Sequence, residues 1–426
     1  MSRSPVGVRA RWVVPVDQPP IENGAVAWSA GRLVEVGKRV AAPCTDLGEA
    51  VVLPGLVNAH AHLEFSDAAS PVGTRGMPLP AWIREVISLR KAKTRDPEAA
   101  IDAGRRQSLA WGVTTIGEIA TSARPFAWSD EPGPNLARFH EVIGFSAPRG
   151  ESALRDAIER LARFAAAPAG GDAIRFAEGV SPHAPYTVHP QLLARLTDLA
   201  AAEGRPMAMH LAESPEELEL LAEGAGPFRE LLEEKSMWDP QAIPRGSRPL
   251  DYLRVLARAP RVVVVHGNYL DDEEIAFLAA RRGTMTVAAC PRTHAYFGHA
   301  PHPLAAMLRA GVRVALGTDS RASSPNLDLL AECRAARAAA PRVAPDQLLR
   351  MATLDAAEAL GCDDCCGSLT PGKRADLLAI RPSSGCRDPW ETLFEDVPAA
   401  CRTTWVAGRR VVPLPDRSPD ERPLRP

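Results

Sequence analysis

The chain has 426 residues, of which 46% are hydrophobic and 24% charged, and a formal net charge of -2. That is an ordered, soluble composition, long enough for one α/β barrel of about 250 residues plus an accessory unit. The near-neutral balance excludes the basic excess of a nucleic-acid binder, and no apolar run approaches the ~20 residues of a membrane helix.

At the N-terminus, Met1 to Pro5 lead into Val-rich alternation with no apolar core before a small-residue cleavage site. A cytoplasmic location is therefore expected. Short strands are predicted at Ala25–Trp28 and Arg32–Val36, broken by Gly and Pro. From about residue 50 a new rhythm begins. Apolar runs predict strands at Val51–Ala59, Val113–Ile119, Phe139–Phe145, Ile174–Val180, Pro206–Leu211, Arg261–His266, Thr284–Cys290 and Val312–Gly317. Helical spacing follows them at Leu154–Phe164, Pro190–Ala202, Pro215–Ala222, Asp272–Ala280 and Pro303–Ala310, with Ser214 and Asp272 placed as N-caps.

Alternation of this kind predicts a parallel sheet with crossover helices, and eight strands is the barrel number. The last fifty-five or so residues return to short strands at Ala375–Ile380, Thr403–Val406 and Arg409–Val412, ahead of a Pro-, Asp- and Arg-rich tail after Pro413 that is expected to be poorly ordered. The expected architecture is a (β/α)8 TIM-like barrel over residues 53–369. A small β-sandwich domain is expected from residues 1–52 and 370–426 together.

Eight cysteines in a chain this long do not make a disulfide framework. Cys362, Cys365 and Cys366 form one cluster, but a single C-x-x-C without a second pair or a nearby histidine reads as a loop rather than a zinc site.

The chemistry gathers at the predicted strand ends. Pro54-Gly-Leu-Val-Asn-Ala-His60-Ala-His62 sets two histidines two apart after the first run, so both imidazoles can grip one ion from the catalytic face of a barrel. His210 ends the fifth run in MAMHLAE, His266 ends the sixth in VVVVHGN, and Asp319 follows the eighth in ALGTDS. Glu213 lies three residues beyond His210, within reach of the same cavity for acid–base work. It also fits a solvated acid at a helix start, ahead of Ser214-Pro215.

PGLVNAHAH, HLAE, VVHGN and LGTDS, in that order and spacing, resemble the deaminase-type branch of the amidohydrolase superfamily. Nearly the whole chain takes part, because LTPGKRADLL and WVAGR resemble that family's return into its small β domain. The resemblance implies one divalent metal ion, zinc before iron or manganese, held by His60, His62, His210 and Asp319. It implies Glu213 as proton shuttle and His266 in contact with the activated water. The lysine that bridges two metals in related enzymes is missing, since no lysine occurs from Thr94 to Glu234. Glu178 is the one residue that could replace it, from inside its strand.

On the substrate side, SPHAPY resembles that branch's substrate-holding motif and nominates His183. Trp82 and Glu85 resemble its lid, although Trp82 also suits the core anchor of an amphipathic helix. Arg292 and His294, after the seventh run, offer a cation and an imidazole to a planar ring. The implied reaction is deamination of an adenosine-like ring, as in the S-adenosylhomocysteine, methylthioadenosine or aminodeoxyfutalosine deaminases. Triazine-type dechlorination, cyclic amide hydrolysis and a non-catalytic binding relative remain open. The implied partner is a small molecule, with a homodimer compatible with the resemblance and neither nucleic acid nor membrane expected.

Overall fold

The computed structural model describes residues 4–92, 95–121, 133–165, 176, 178–382 and 385–412, with backbone alone at 147, 164, 165 and 412. The strands in chain order are β1 (Val6–Val13), β2 (Ile21–Ser29), β3 (Arg32–Gly37), β4 (Cys44–Asp46), β5 (Val51–Pro54), β6 (Leu56–Ala61), β7 (Val113–Ala120) and β8 (Asn135–Val142). They continue as β9 (Gly179–Pro182), β10 (Met207–Leu211), β11 (Val262–His266), β12 (Met285–Ala289), β13 (Arg313–Leu316), β14 (Leu377–Ile380), β15 (Arg402–Val406) and β16 (Arg409–Val412).

Strands β6 to β13 pair in chain order and every pair is parallel. Parallel neighbours need crossovers, so helices surround the sheet. The sheet closes where β6 meets the end of β13. His62 N donates to Asp319 O at 3.1 Å, while Thr318 N and Asp319 N both donate to His60 O at 3.1 Å. Glycine is required at this seam, because a Cβ on Gly317 would lie 2.9 Å from both Cβ and O of His60.

Inside the barrel, Val57 and Ala59 of β6, Ile119 of β7, Ala137 and Phe139 of β8, Ala208 of β10, Val263 and Val265 of β11, Ala288 of β12 and Ala315 of β13 form one apolar cluster. Leu360, the last residue of the helix Leu354–Leu360, joins that cluster together with Cys362 and Cys366 beyond the helix. The cysteines therefore serve as small apolar fillers of the barrel, with the Sγ atoms of Cys362 and Cys366 3.4 Å apart.

The two chain ends build a second sheet in the order β16-β15-β14-β5-β1-β2-β3. β1 pairs along one edge with β4 over residues 7–9 and with β5 over residues 12–13, so the sheet divides there. Its apolar side chains close on a separate core that includes Val8, Val26, Leu33, Val52, Leu377 and Trp405.

Four expectations need correction. The run Val51–Ala59 is two strands, because β5 pairs with β14 in the terminal sheet before Gly55 turns the chain into the barrel. A Cβ on Gly55 would lie 2.2 Å from Thr114 Oγ1, so the turn there has no room for a side chain. β8 begins at Asn135 rather than Phe139 and stops at Val142, since the Asn135 amide anchors it to Thr114 O at 3.0 Å. β9 runs to Pro182 rather than from Ile174, and residues 166–175 and 177 lie outside the described residues, as does the tail after Pro413. The helix expected from an Asp272 cap is capped one residue earlier. Asp271 accepts from Glu274 N and Glu274 accepts from Asp271 N, both at 2.9 Å. Ser214 caps as expected, accepting from Glu217 N at 3.3 Å. Among the described residues no helix is long and apolar enough to cross a membrane.

One buried ion pair ties β15 to the barrel. The Arg402 guanidinium, fully buried, donates to Asp328 Oδ1 at 2.8 Å and Oδ2 at 3.1 Å, and to the carbonyls of Trp111 (3.0 Å) and Val397 (2.9 Å). Removing one partner of such a pair leaves an undercompensated buried charge. Arg402→Met leaves Arg334, at 3.0 Å, as the cation on Asp328. Urea unfolding of that variant is expected to show a loss of about 3 kcal/mol, and a loss below about 1 kcal/mol would contradict the assigned role.

Candidate metal centre and substrate cavity

Strand register delivers the polar cluster. Ala208 faces the barrel interior, so His210, two residues on, emerges above it. His60 lies inside a register irregularity between Asn58 and Ala61 and His62 directly follows it, which lets both rings turn to one point. His266 and Asp319 leave their strands with φ of 69° and 54°, and Ala212, before Glu213, has φ of 53°. These left-handed residues are not glycines, so strain is stored around the site.

The rings converge. Ring nitrogens of His60, His210 and His266 lie within 4.8 Å of one another, as do ligand atoms of His60, His62 and Asp319. Nε2 of His62 and Nε2 of His210 are 3.2 Å apart, and Asp319 Oδ1 lies 3.6 Å from His60 Nε2 and 3.8 Å from His62 Nε2. All five residues are buried. His210 Nδ1 faces the carbonyl of His183 at 2.9 Å, which makes Nδ1 the donor and leaves the Nε2 lone pair aimed at the cluster. His60 Nε2 is buried with no hydrogen-bond partner among the described residues. Lone pairs brought this close, with a carboxylate beside them, fit a divalent cation and are otherwise an unsatisfied polar core.

Electrostatics divide the ionisable groups. Burial pushes the imidazoles of His62, His210 and His266 well below the usual histidine range, so these rings are neutral. Burial opposes ionisation of Asp319, but His60, His266 and His62 outweigh it and hold the carboxyl well below its usual range. Glu213 moves the other way. Burial first, then the charge of Asp319, raises it well above the usual carboxylate range. Its Oε1 sits 3.4 Å from His266 Nε2.

Supporting contacts fix the backbone. Asn58 donates from Nδ2 to Thr318 Oγ1 at 2.7 Å, and its Oδ1 accepts from Thr318 N at 3.1 Å and His60 N at 3.2 Å. Ser323 donates to Asp319 Oδ2 at 3.0 Å. Asn58 lies within the PGLVNAHAH stretch without standing out there, and Ser323 lies beyond the LGTDS stretch.

A cavity opens from the cluster. Its polar end is His62, His210, His266, Glu213, Asp319 and His183, and its walls are largely apolar. Ile83, Val86 and Ile87 of the helix Leu79–Arg90 face Leu231 and Leu232 of the helix Pro227–Glu234, with Met237 and Ile143 beside them. Trp82 lines it too, donating from its indole to Ala322 O at 3.3 Å and packing edge-on to Phe297. Arg90 and Lys235 reach the lining as well. The lid resemblance marked the helix Leu79–Arg90 through Trp82, whereas nothing in the sequence marked the helix Pro227–Glu234.

The remaining predicted residues lie elsewhere. Glu85 is exposed and outside the lining. Arg292 is bound by the fully buried Glu332 at 2.6 Å and by Asn326 through Oδ1 (2.7 Å) and O (2.6 Å), so it braces a loop. His294 bonds Ala300 O at 2.8 Å beside His299 and His302, also outside the lining. Glu178 is held by Arg138 and by His140 at 2.9 Å, away from the cluster.

His183 offers the cavity an acceptor of its own. Thr187 gives its one hydroxyl proton to Ala184 O at 3.1 Å, so His183 Nδ1, 2.8 Å from Thr187 Oγ1, must carry the ring proton. Its Nε2 is then bare. Burial, followed by the nearby charges of Arg90 and His60, lowers this imidazole to about 3. Nitrogen-15 NMR of histidine-labelled protein at pH 5 should therefore find His183 neutral and protonated at Nδ1. A cationic ring at that pH would contradict this assignment.

The comparisons with known proteins agree with this geometry. Residues 51–411 match the amidohydrolase family. Over 385 residues the chain is 32% identical to a 5-methylthioadenosine/S-adenosylhomocysteine deaminase of Moorella thermoacetica, covering 86% of this chain and 83% of that one. Over 356 residues it is 32% identical to the aminodeoxyfutalosine deaminase of Deinococcus radiodurans, covering 76% and 80%. An adenosine deaminase of Xanthomonas campestris, solved with bound zinc, superimposes with a TM-score of 0.74 over 97% of this chain and 94% of that one, at 25% identity. With the match spanning the barrel and strands β5, β14 and β15 of the terminal sheet, the chain belongs to the amidohydrolase family.

Proposed function

We propose that the chain is a metal-dependent aminohydrolase that removes the amino group from the adenine-like ring of a 5′-thio-substituted nucleoside. The observation that carries this reading is the convergence of His60, His62, His210 and Asp319 on one point, with a buried Glu213 beside them.

In this reading those four residues hold one cation, and zinc is the first choice because the Xanthomonas campestris relative was solved with it. When bound, such a cation lowers the pKa of a water to about 7 and supplies a nucleophile at neutral pH. Asp319, kept ionised, accepts a proton from the attacking water. Glu213, kept protonated by burial, gives its proton to a ring nitrogen and so lets the ring accept electrons as water adds. His266 keeps that carboxyl turned toward the reacting carbon. The proton taken up by Asp319 then passes to the amino group, which leaves as ammonia, while the hydroxyl added to the ring carbon returns its proton to Glu213 and stays as the carbonyl oxygen.

The bare Nε2 of His183 accepts a hydrogen bond from a substrate O–H or N–H, such as a sugar hydroxyl. The apolar walls suit a thioether sulfur at the 5′ position, which both substrates named for the Moorella thermoacetica relative carry.

Metal analysis joined to an ammonia-release assay tests the reading. Purified protein is expected to carry about one metal per chain and to release ammonia from methylthioadenosine or S-adenosylhomocysteine. His210→Ala should lose the metal and the activity together. Glu213→Gln should keep the metal while kcat falls by roughly 10²- to 10⁴-fold, the usual contribution of a general acid. Stoichiometric metal without ammonia from any adenine-bearing nucleoside would overturn the assignment.

A further inference from the structure

Glu213 sits in a short turn between β10 and the helix Pro215–Glu223, and its neighbour Ala212 holds a left-handed φ of 53°. Such a turn does not keep its shape unaided. All four polar backbone groups of the Ala212–Glu213 dipeptide are occupied. Glu217, a fully buried residue, accepts from Ala212 N through Oε1 at 2.8 Å and from Glu213 N through Oε2 at 2.9 Å. From the other side, Tyr269 N donates to Ala212 O at 3.1 Å, and Asn268 Nδ2 donates to Glu213 O at 2.8 Å. Asn268 and Tyr269 follow directly from β11, the strand that ends in His266.

We propose that Glu217 is the positioning residue of the reaction, whose two carboxylate oxygens hold the Ala212–Glu213 turn so that the Glu213 carboxyl faces His266 and the reacting centre. This rests on the reading of Glu213 as the proton-moving group. Glu217 itself lies outside the cavity lining and touches no substrate. Its chemistry suits the task, since two N–H donors pointing the same way need two acceptors in one plane, which the two oxygens of a carboxyl group supply. Burial raises Glu217 to about 7 against the downward pull of those two N–H bonds. Glutamine offers one oxygen and turns an NH2 group against the second N–H, leaving a buried donor without an acceptor. Aspartate is one methylene shorter and cannot span both. Neither change touches His60, His62, His210 or Asp319, so cation binding is spared.

An ordinary first-turn acid that merely stabilises its helix would predict something else, because its loss would act on the whole fold whatever stands at position 213. A double-mutant cycle separates the two. Glu217→Gln, Glu213→Gln and the double variant are assayed as metal-loaded protein, with rates normalised to bound metal so that any misfolded fraction drops out. Glu217→Gln alone is expected to lower kcat by about 10- to 100-fold, the scale of an ångström-level misplacement, with KM and metal content unchanged. In the Glu213→Gln background the same substitution is expected to change kcat by less than about twofold, because the group it aims is gone. Glu217→Asp, which keeps the charge, should fall between wild type and Glu217→Gln.

Equal losses in both backgrounds, or a wild-type kcat for Glu217→Gln while Glu213→Gln is inactive, would overturn the positioning role and leave the reading of Glu213 standing. A wild-type kcat for Glu213→Gln would instead remove the reading on which the inference rests.

Discussion

Everything at the catalytic face depends on how the barrel closes. The first and last strands are joined through the backbone of the residues that form the polar cluster, with His60 O taking two N–H groups from Thr318 and Asp319, and His62 N returning one to Asp319 O. Asn58 repeats the stitch with its side chain. Closure and site assembly are thus the same set of hydrogen bonds. A sheet that failed to close would also fail to bring the carboxylate to the histidines, and the absent side chain of Gly317 is the steric condition for both.

Within that closed rim, one low-dielectric space drives two carboxyl groups in opposite directions. Asp319 faces imidazoles that hold it below its usual range, whereas Glu213, 3.4 Å from His266, is raised above its own by burial and by the charge of Asp319. A base and an acid are therefore available together near neutral pH, which a solvated pair of carboxylates cannot provide. The hydrogen bonds behind them settle the remaining freedom, since the His183 carbonyl fixes the tautomer of His210 and Ser323 orients Asp319.

Much of this was legible in the sequence, for a physical reason. The C-terminal ends of barrel strands form the catalytic rim, so His60, His62, His210, His266 and Asp319 were marked by position as much as by type. What was not legible depended on partners distant in sequence. Arg292 and His294 also follow a strand, but buried Glu332 and the carbonyl of Ala300 engage them outside the cavity, and no local pattern foretells that. Glu217 has the local look of any acid in a first helical turn, and only the folded path of residues 212 and 213 reveals what it binds. The apolar walls come from helices whose spacing records that they are buried without saying against what. The break at Gly55 was hidden because both halves of the run Val51–Ala59 are equally apolar, although one belongs to the terminal sheet and the other to the barrel.

The ion pair between Arg402 and Asp328 carries a consequence for the order of events during synthesis. Asp328 caps the helix Leu329–Ala339, next to the loop that Arg292 braces, while its bidentate partner is made some seventy residues later. Until that last stretch leaves the ribosome, the nascent barrel holds a carboxylate with nothing but Arg334 for company, so the C-terminal strand acts as the final fastener of a barrel whose own strands were completed long before.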